Sequence, residues 1–349
     1  MKLIEFQKYL LLQNIDLSIF FHPDPILTYF TQKNFSYAFF LVTPTLAKLY
    51  ITSLDFFPSL PSVTPKIISN GWEKEISSKK VKKLGIHKSA LTVSQQEKLQ
   101  TLFPNAAFLD VGKKMNELRQ IKTTKETAKL SRACQITSDA FHALIQEFPK
   151  KKIKTELDVA LFLESFMRRQ GAELAFPTIV ASGKNTCTPH HITSIEKLQK
   201  GFLQLDFGAR WQNYCADMSR VIYLGVPSSE ETKNYSFLLS VQKACIREAC
   251  EGRQFKKLHH FAKKKLGVFS KYFIHSLGHG IGIEVHEAPV FKDAEARIKK
   301  GISFTIEPGI YFPEKYGLRI EDTVLWDGNT TKVLTKATKE LVKISFPFS

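Results

Sequence analysis

At 349 residues and 43% hydrophobic content, the chain is too long for one average domain and apolar enough for two cores. Its net charge of +17 raises nucleic acid as a partner, but the excess is spread in short clusters at residues 79–83, 150–154 and 263–265, without the interleaved aromatics of an RNA-binding module, so nucleic acid is not expected. Five cysteines with no Cys-x-x-Cys pair argue against a disulfide framework, and the lack of any run of eighteen apolar residues argues against a membrane span, so a cytoplasmic protein with reduced thiols is expected.

From the amino terminus, Glu5 and Lys8 interrupt any signal-peptide core. Apolar runs at 37–42, 49–52 and 84–87, separated by turn residues, predict the strands of a small α/β domain over residues 1–117, followed by a larger domain over 118–349. Thr123 and Glu126 form a capping box that opens a helix, along which Leu130, Ala133, Cys134, Ile136, Phe141, Leu144, Ile145 and Phe148 recur near a helical period. A second capped helix starts at Thr155-Glu-Leu-Asp158 and stops at Gly171, ahead of a strand at 176–180. From about Glu230 the plan repeats, with helices ending at Gly252 and Gly267 and strands beyond them.

Four segments carry candidate metal ligands. In Leu203-Gln-Leu-Asp206-Phe-Gly208, followed by Tyr214-Cys-Ala-Asp217-Met-Ser-Arg220, two apolar runs flank a Gly/Asn-containing bend that brings Asp206 and Asp217 to one place, with Asp217 expected inside a strand. Facing carboxylates suit Mn²⁺, Co²⁺ or Zn²⁺. His275 and His279 are spaced for one helix face, but Gly278, Gly280 and Gly282 each cost a helix about 1 kcal/mol, so the segment reads as a Gly-rich loop entering a strand. Phe304-Thr-Ile-Glu307-Pro308-Gly309 puts an acid where a strand must turn, and Gly317-Leu-Arg319-Ile-Glu321 ends an apolar run in another.

In this order the segments resemble the metal-dependent aminopeptidases and prolidases of the pita-bread fold, over roughly residues 118–335. The resemblance implies an α/β architecture: a creatinase/prolidase-like amino-terminal domain, then a catalytic domain of two pseudo-twofold halves with two divalent ions between them. Manganese is the first expectation. Asp206, Asp217, His279, Glu307 and Glu321 match the family's five ligands. The resemblance implies that Asp217 and Glu321 bridge the ions, that His279 and Glu307 complete one site and Asp206 the other, and that Glu307 also moves the proton. His190 and His286 are implied as hydrogen-bond donors to the substrate carbonyl. His275 is placed on the substrate's amino-terminal side or beside His279, and Arg319 is read as holding Asp206 and Tyr311 in place. The family also implies a homodimer.

The amino-terminal domain points to the prolyl branch, whose substrates carry proline at the second position. Aminopeptidase P is the preferred reading and prolidase the alternative, with Arg297 a candidate cation for a dipeptide's carboxylate. A non-catalytic binding protein of this fold is the remote third.

Overall fold

Strings of apolar residues with no polar alternation, such as Leu17-Ser-Ile-Phe-Phe21 and Ala38-Phe-Phe-Leu-Val42, call for strands covered on both faces. The computed structural model describes residues 2–58, 63–148, 153–293 and 295–346, and both of these strands are buried at every position. The chain divides into two units, Met1–Arg119 and Gln120–Ser349.

The first unit runs α1 (Lys2–Leu12), β1 (Leu17–Phe21), α2 (Pro25–Thr31), β2 (Ala38–Val42), β3 (Ala47–Ile51), β4 (Thr64–Ile67), α3 (Trp72–Ile76), β5 (Lys83–Ile86), α4 (Val93–Leu102), β6 (Ala107–Asp110) and α5 (Gly112–Gln120). Its mixed sheet has the order β4-β3-β2-β1-β5-β6. Aromatic stacking fixes part of its core: Phe39 lies 4.4 Å from Tyr50, nearly parallel, and 4.4 Å from Trp72.

In the second unit, α6 (Thr124–Glu147) and α7 (Glu156–Arg169) precede β7 (Glu173–Leu174), β8 (Ile179–Ser182), β9 (Gly201–Phe207), β10 (Ala209–Trp211), β11 (Tyr214–Cys215) and β12 (Met218–Leu224). Then α8 (Ser229–Glu248) and α9 (Phe255–Leu266) precede β13 (His279–Gly280), β14 (Glu287–Val290), β15 (Ser303–Ile306), β16 (Gly309–Phe312), β17 (Tyr316–Arg319), β18 (Asp322–Trp326), β19 (Thr331–Val333) and β20 (Val342–Ile344). Each half is thus a helix pair followed by strands, built on sheets of order β20-β12-β9-β8 and β14-β13-β15-β18-β19. Capping boxes at Thr123/Glu126 and Thr155/Asp158 open α6 and α7, as their sequences require.

Two apolar cores lie on opposite faces of β9 and β12. Leu203, Leu205, Phe207, Ile222 and Leu224 pack with α6 and α7, while Phe202, Val221 and Tyr223 pack with α8, α9 and the second half's strands.

Two local expectations are corrected. The strand foreseen at 176–180 begins only at Ile179, because Pro177 has no N–H to give a ladder. Asp217 lies between β11 and β12 and outside both, because its backbone is bonded to a side chain: its N–H donates to Thr323 Oγ1 at 3.2 Å, and its carbonyl accepts from the same hydroxyl at 2.8 Å.

Lys79, Lys80, Lys82 and Lys263 to Lys265 are exposed, as is Lys154, whereas Lys150 to Lys152 lie outside the described residues. Among the described residues, no helix is long and apolar enough to cross a membrane, and the five cysteines are free.

Candidate metal centre

Period-two alternation along β9 aims Asp206. With Leu203, Leu205 and Phe207 turned into one core, Gln204 and Asp206 face the other half, where Gln204 bonds both the N–H and the carbonyl of Arg319. Antiparallel β12 sets Ser219 opposite Asp206, and Asp217 comes two residues earlier. The chain reverses at Gln212 and Asn213, both at positive φ. It passes so close at Gly208 that a Cβ there would lie 1.8 Å from the carbonyl oxygen of Ala216.

The second half supplies the other three acceptors. His279 lies on strand β13 at a register shift, and the chain is so close there that a Cβ on Gly280 would meet the backbone of Ala288 at 2.3 Å. Its Nδ1 donates to the carbonyl of Gly280 at 3.1 Å, which turns Nε2 toward the carboxylates. That Nε2 is 3.5 Å from Asp217 Oδ2 and 3.5 Å from Glu307 Oε1. Glu307 follows β15 at the turn into Pro308, and Glu321 occupies the step between β17 and β18. One ligand atom each from Asp217, His279 and Glu321 all lie within 4.8 Å of one another.

The electrostatics of this cluster are those of a site short of positive charge. Burial, and then the neighbouring carboxylates, push Asp217 and Glu321 well above the ordinary carboxylate range, and burial raises Glu307. Among the described residues, Oδ1 of Asp206 and Oδ1 of Asp217 are buried without a hydrogen-bond partner. Such oxygens are costly unless an ion takes them. Four carboxylates and one imidazole lone pair form an oxygen-rich donor set that fits divalent metal ions.

Arg319 is the hub beside them. It donates from Nη2 to Asp206 Oδ2 at 2.6 Å, from Nη1 to Tyr311 OH at 2.8 Å and to the carbonyl of Pro189 at 3.3 Å, and from Nε to Ser219 Oγ at 2.8 Å. Ser219 Oγ in turn donates a hydrogen bond to Glu321 Oε2 at 2.9 Å. Tyr311 OH in turn donates to His275 Nε2 at 3.1 Å, because His275 Nδ1 is the donor to the carbonyl of Ser276 at 2.7 Å. His275 Nδ1 also lies 3.7 Å from Glu307 Oε2, and burial followed by Arg319 lowers its pKa to about 4, so it is neutral at pH 7. The ring of His286 lies 4.1 Å from that of His279, with its pKa lowered to about 4 by burial and then by His279. His190 follows Pro189 and is near enough to His275 and His286 to act on both. Arg297 is exposed, and its Nη1 is engaged by the carbonyl of Gly252.

Residues 128–327 match metallopeptidase family M24, and residues 3–121 match the creatinase/prolidase N-terminal domain. The chain belongs to metallopeptidase family M24. Among M24 relatives, an Xaa-Pro dipeptidase of Pyrococcus horikoshii is 38% identical over 267 residues, 75% of each chain. The crystal structure of the prolidase from P. horikoshii OT3 superposes with a TM-score of 0.88 at 32% identity, covering 98% of this chain and 99% of that one. An X-Pro aminopeptidase structure from Thermotoga maritima reaches a TM-score of 0.86 at 28% identity, over 95% and 98% of the two chains. Two relatives at 38% identity, from P. horikoshii and P. furiosus, carry the name Xaa-Pro dipeptidase, which fits the prolidase alternative drawn from the sequence better than its preference for aminopeptidase P.

Sequence reasoning missed three residues around this candidate site, Ser219, Thr305, whose hydroxyl donates to Glu307 Oε1 at 3.3 Å, and Thr323, and it also missed the buried Glu156 of α7. Three had a usable signal. Ser219, Thr305 and Thr323 each stand two residues from a candidate ligand, the spacing that shares a face in extended chain.

Proposed function

We propose that this chain is a metal-dependent Xaa-Pro dipeptidase. The observation that carries the reading is the buried carboxylate cluster with its two orphaned oxygens, and the dipeptidase name of the P. horikoshii relative supports the substrate. Asp217 and Glu321 would bridge two ions, His279 and Glu307 would complete one site, and Asp206 would complete the other. Divalent ions held there supply Lewis acidity and lower the pKa of water from about 15.7 toward neutrality. Glu307, its pKa raised by burial, takes the proton of the attacking water and returns it to the proline nitrogen. His286, neutral at pH 7, and His190 donate N–H groups to the carbonyl oxygen as it gains charge, and loss of one such donor costs about 10² to 10³ in turnover. An Xaa-Pro bond has no N–H for extended-strand recognition, so a dedicated pocket for the ring is required.

Manganese as the ion, a cytoplasmic location and a homodimer complete this reading. The oxygen-rich donor set supports the first, the free thiols the second, and the family resemblance the third. Exopeptidase action on longer Xaa-Pro peptides is the second reading, favoured by the likeness to the T. maritima structure. Turnover of Ala-Pro against Ala-Pro-Ala with Mn²⁺ separates the two, with Asp217→Ala as the control. The dipeptide is the expected substrate, and cleavage of the tripeptide alone overturns the dipeptidase reading.

A further inference from the structure

Glu156 opens α7 and is fully buried, and among the described residues it stands outside the Asp217–His279–Glu321 group. Its Oε1 accepts from the N–H of Ser182 at 2.9 Å, from Ser182 Oγ at 3.3 Å and from Asn185 Nδ2 at 2.9 Å. Its Oε2 accepts from His191 Nε2 at 2.7 Å and from Ser194 Oγ at 3.3 Å. A buried carboxylate saturated by five donors is a strong anchor, because each donor would otherwise have to be desolvated without a partner. The donors come from the end of β8 and the loop after it, on both sides of His190: Ser182 and Asn185 before it, His191 and Ser194 after it. The backbone of the same helix start reinforces the grip, with Leu157 N–H donating to the carbonyl of Ser194 at 2.9 Å. Toward the metal centre the loop is held again, by Arg319 on the carbonyl of Pro189 and by Gly317 N–H on Thr186 Oγ1 at 2.8 Å.

We propose that Glu156 is a positioning residue for the reaction, which sets the place of His190 by gripping Asn185 and His191 on either side of it. This rests on the proposed peptidase reading for its kinetic effect. Its mechanical content, a loop that Glu156 holds still, does not depend on that reading. Misplacing an interacting group by about 1 Å costs on the order of 10²-fold in rate. A loop that loses this anchor should therefore turn over slowly with little change in substrate affinity.

The test uses the full-length, Mn²⁺-loaded protein. His191→Ala removes the shortest of the five bonds at a partly exposed position and leaves the other four, while Glu156→Gln turns an acceptor into a donor facing donors. Expected for His191→Ala on Ala-Pro is a fall in kcat of about 10- to 100-fold with KM within about twofold. Metal content should be unchanged, and amide exchange over residues 185–191 should be faster. In a His190→Ala background the further loss should vanish, as it does for residues that act through one another. Losses that multiply, exchange that stays the same, or a variant that sheds metal would each overturn the proposal. Should the unaltered protein leave Ala-Pro intact, the dipeptidase reading falls, and the exchange measurement still decides whether Glu156 holds the loop.

Discussion

Arg220 and Asp322 are almost completely buried, 2.7 Å apart, directly behind the cluster. Arg220 also donates from Nη1 to the carbonyls of Ser219 and Glu321, so it fixes the backbone of two residues that meet at the metal centre. Asp322 is shared with Gln242 and Lys339. Burial pushes its pKa up, but Arg220 and Lys339 outweigh burial and hold it below the ordinary value of 3.8. Its contribution to stability is therefore present above that value and is lost as pH falls through the depressed one. Asp322→Asn leaves Arg220 buried without its counter-charge and should destabilise the fold by about 3 kcal/mol, read from urea unfolding at pH 7. Arg319→Lys tests a different property of a guanidinium. A lysine reaches one acceptor as a point charge, whereas Arg319 serves Asp206, Tyr311, Ser219 and Pro189 together, so the variant should bind Mn²⁺ about 10- to 100-fold more weakly by calorimetry while remaining folded.

At the scale of elements, α9 reaches the centre through one imidazole. Nδ1 of His259 accepts from the N–H of Leu277 at 3.2 Å, two residues before His279, and burial, followed by the charge of Lys263, lowers its pKa to about 4 from 6.5. A depressed histidine stabilises the fold fully above 6.5, and the contribution is lost as pH falls toward 4. Thermal midpoints of the metal-free protein should thus fall faster between pH 6.5 and 4 for the native chain than for His259→Gln; parallel curves would remove His259 from the account. The helix starts at Thr123 and Thr155 were legible because a capping box is made of neighbours. The place of Asp217 was not, since Thr323, which takes its backbone bonds, is 106 residues away. Glu156 was invisible as an anchor for a similar reason: in sequence it is one acid in the first turn of a capped helix, and its donors are 26 to 38 residues downstream. The five acidic and histidine candidates were singled out because each sits in a local pattern of glycine, proline and apolar residues, and the structure brings ligand atoms of Asp217, His279 and Glu321 within 4.8 Å of one another.

Across the second unit, stability and ion binding should be one measurement. An ion that binds the folded centre and not the unfolded chain adds RT ln(1 + [L]/Kd), about 2.7 kcal/mol at a hundredfold excess over Kd. Chelation should accordingly lower the midpoint of thermal unfolding and manganese should restore it, with no such shift in Asp217→Ala. The two helix-then-strand halves were legible as a repeated plan, whereas their meeting across β9 and β12 depends on which face of a strand each side chain takes.

Asp206 and Asp217 come from one half, and His279, Glu307 and Glu321 from the other. Neither half alone can present the whole candidate set, so ion binding there would serve as a clock for the end of folding. Helices and hairpins can form early from near neighbours, but tight manganese uptake waits until segments more than a hundred residues apart have docked. In a refolding experiment the metal signal should trail the recovery of helix, and a nascent chain should stay metal-free until the segment carrying Glu321 has emerged.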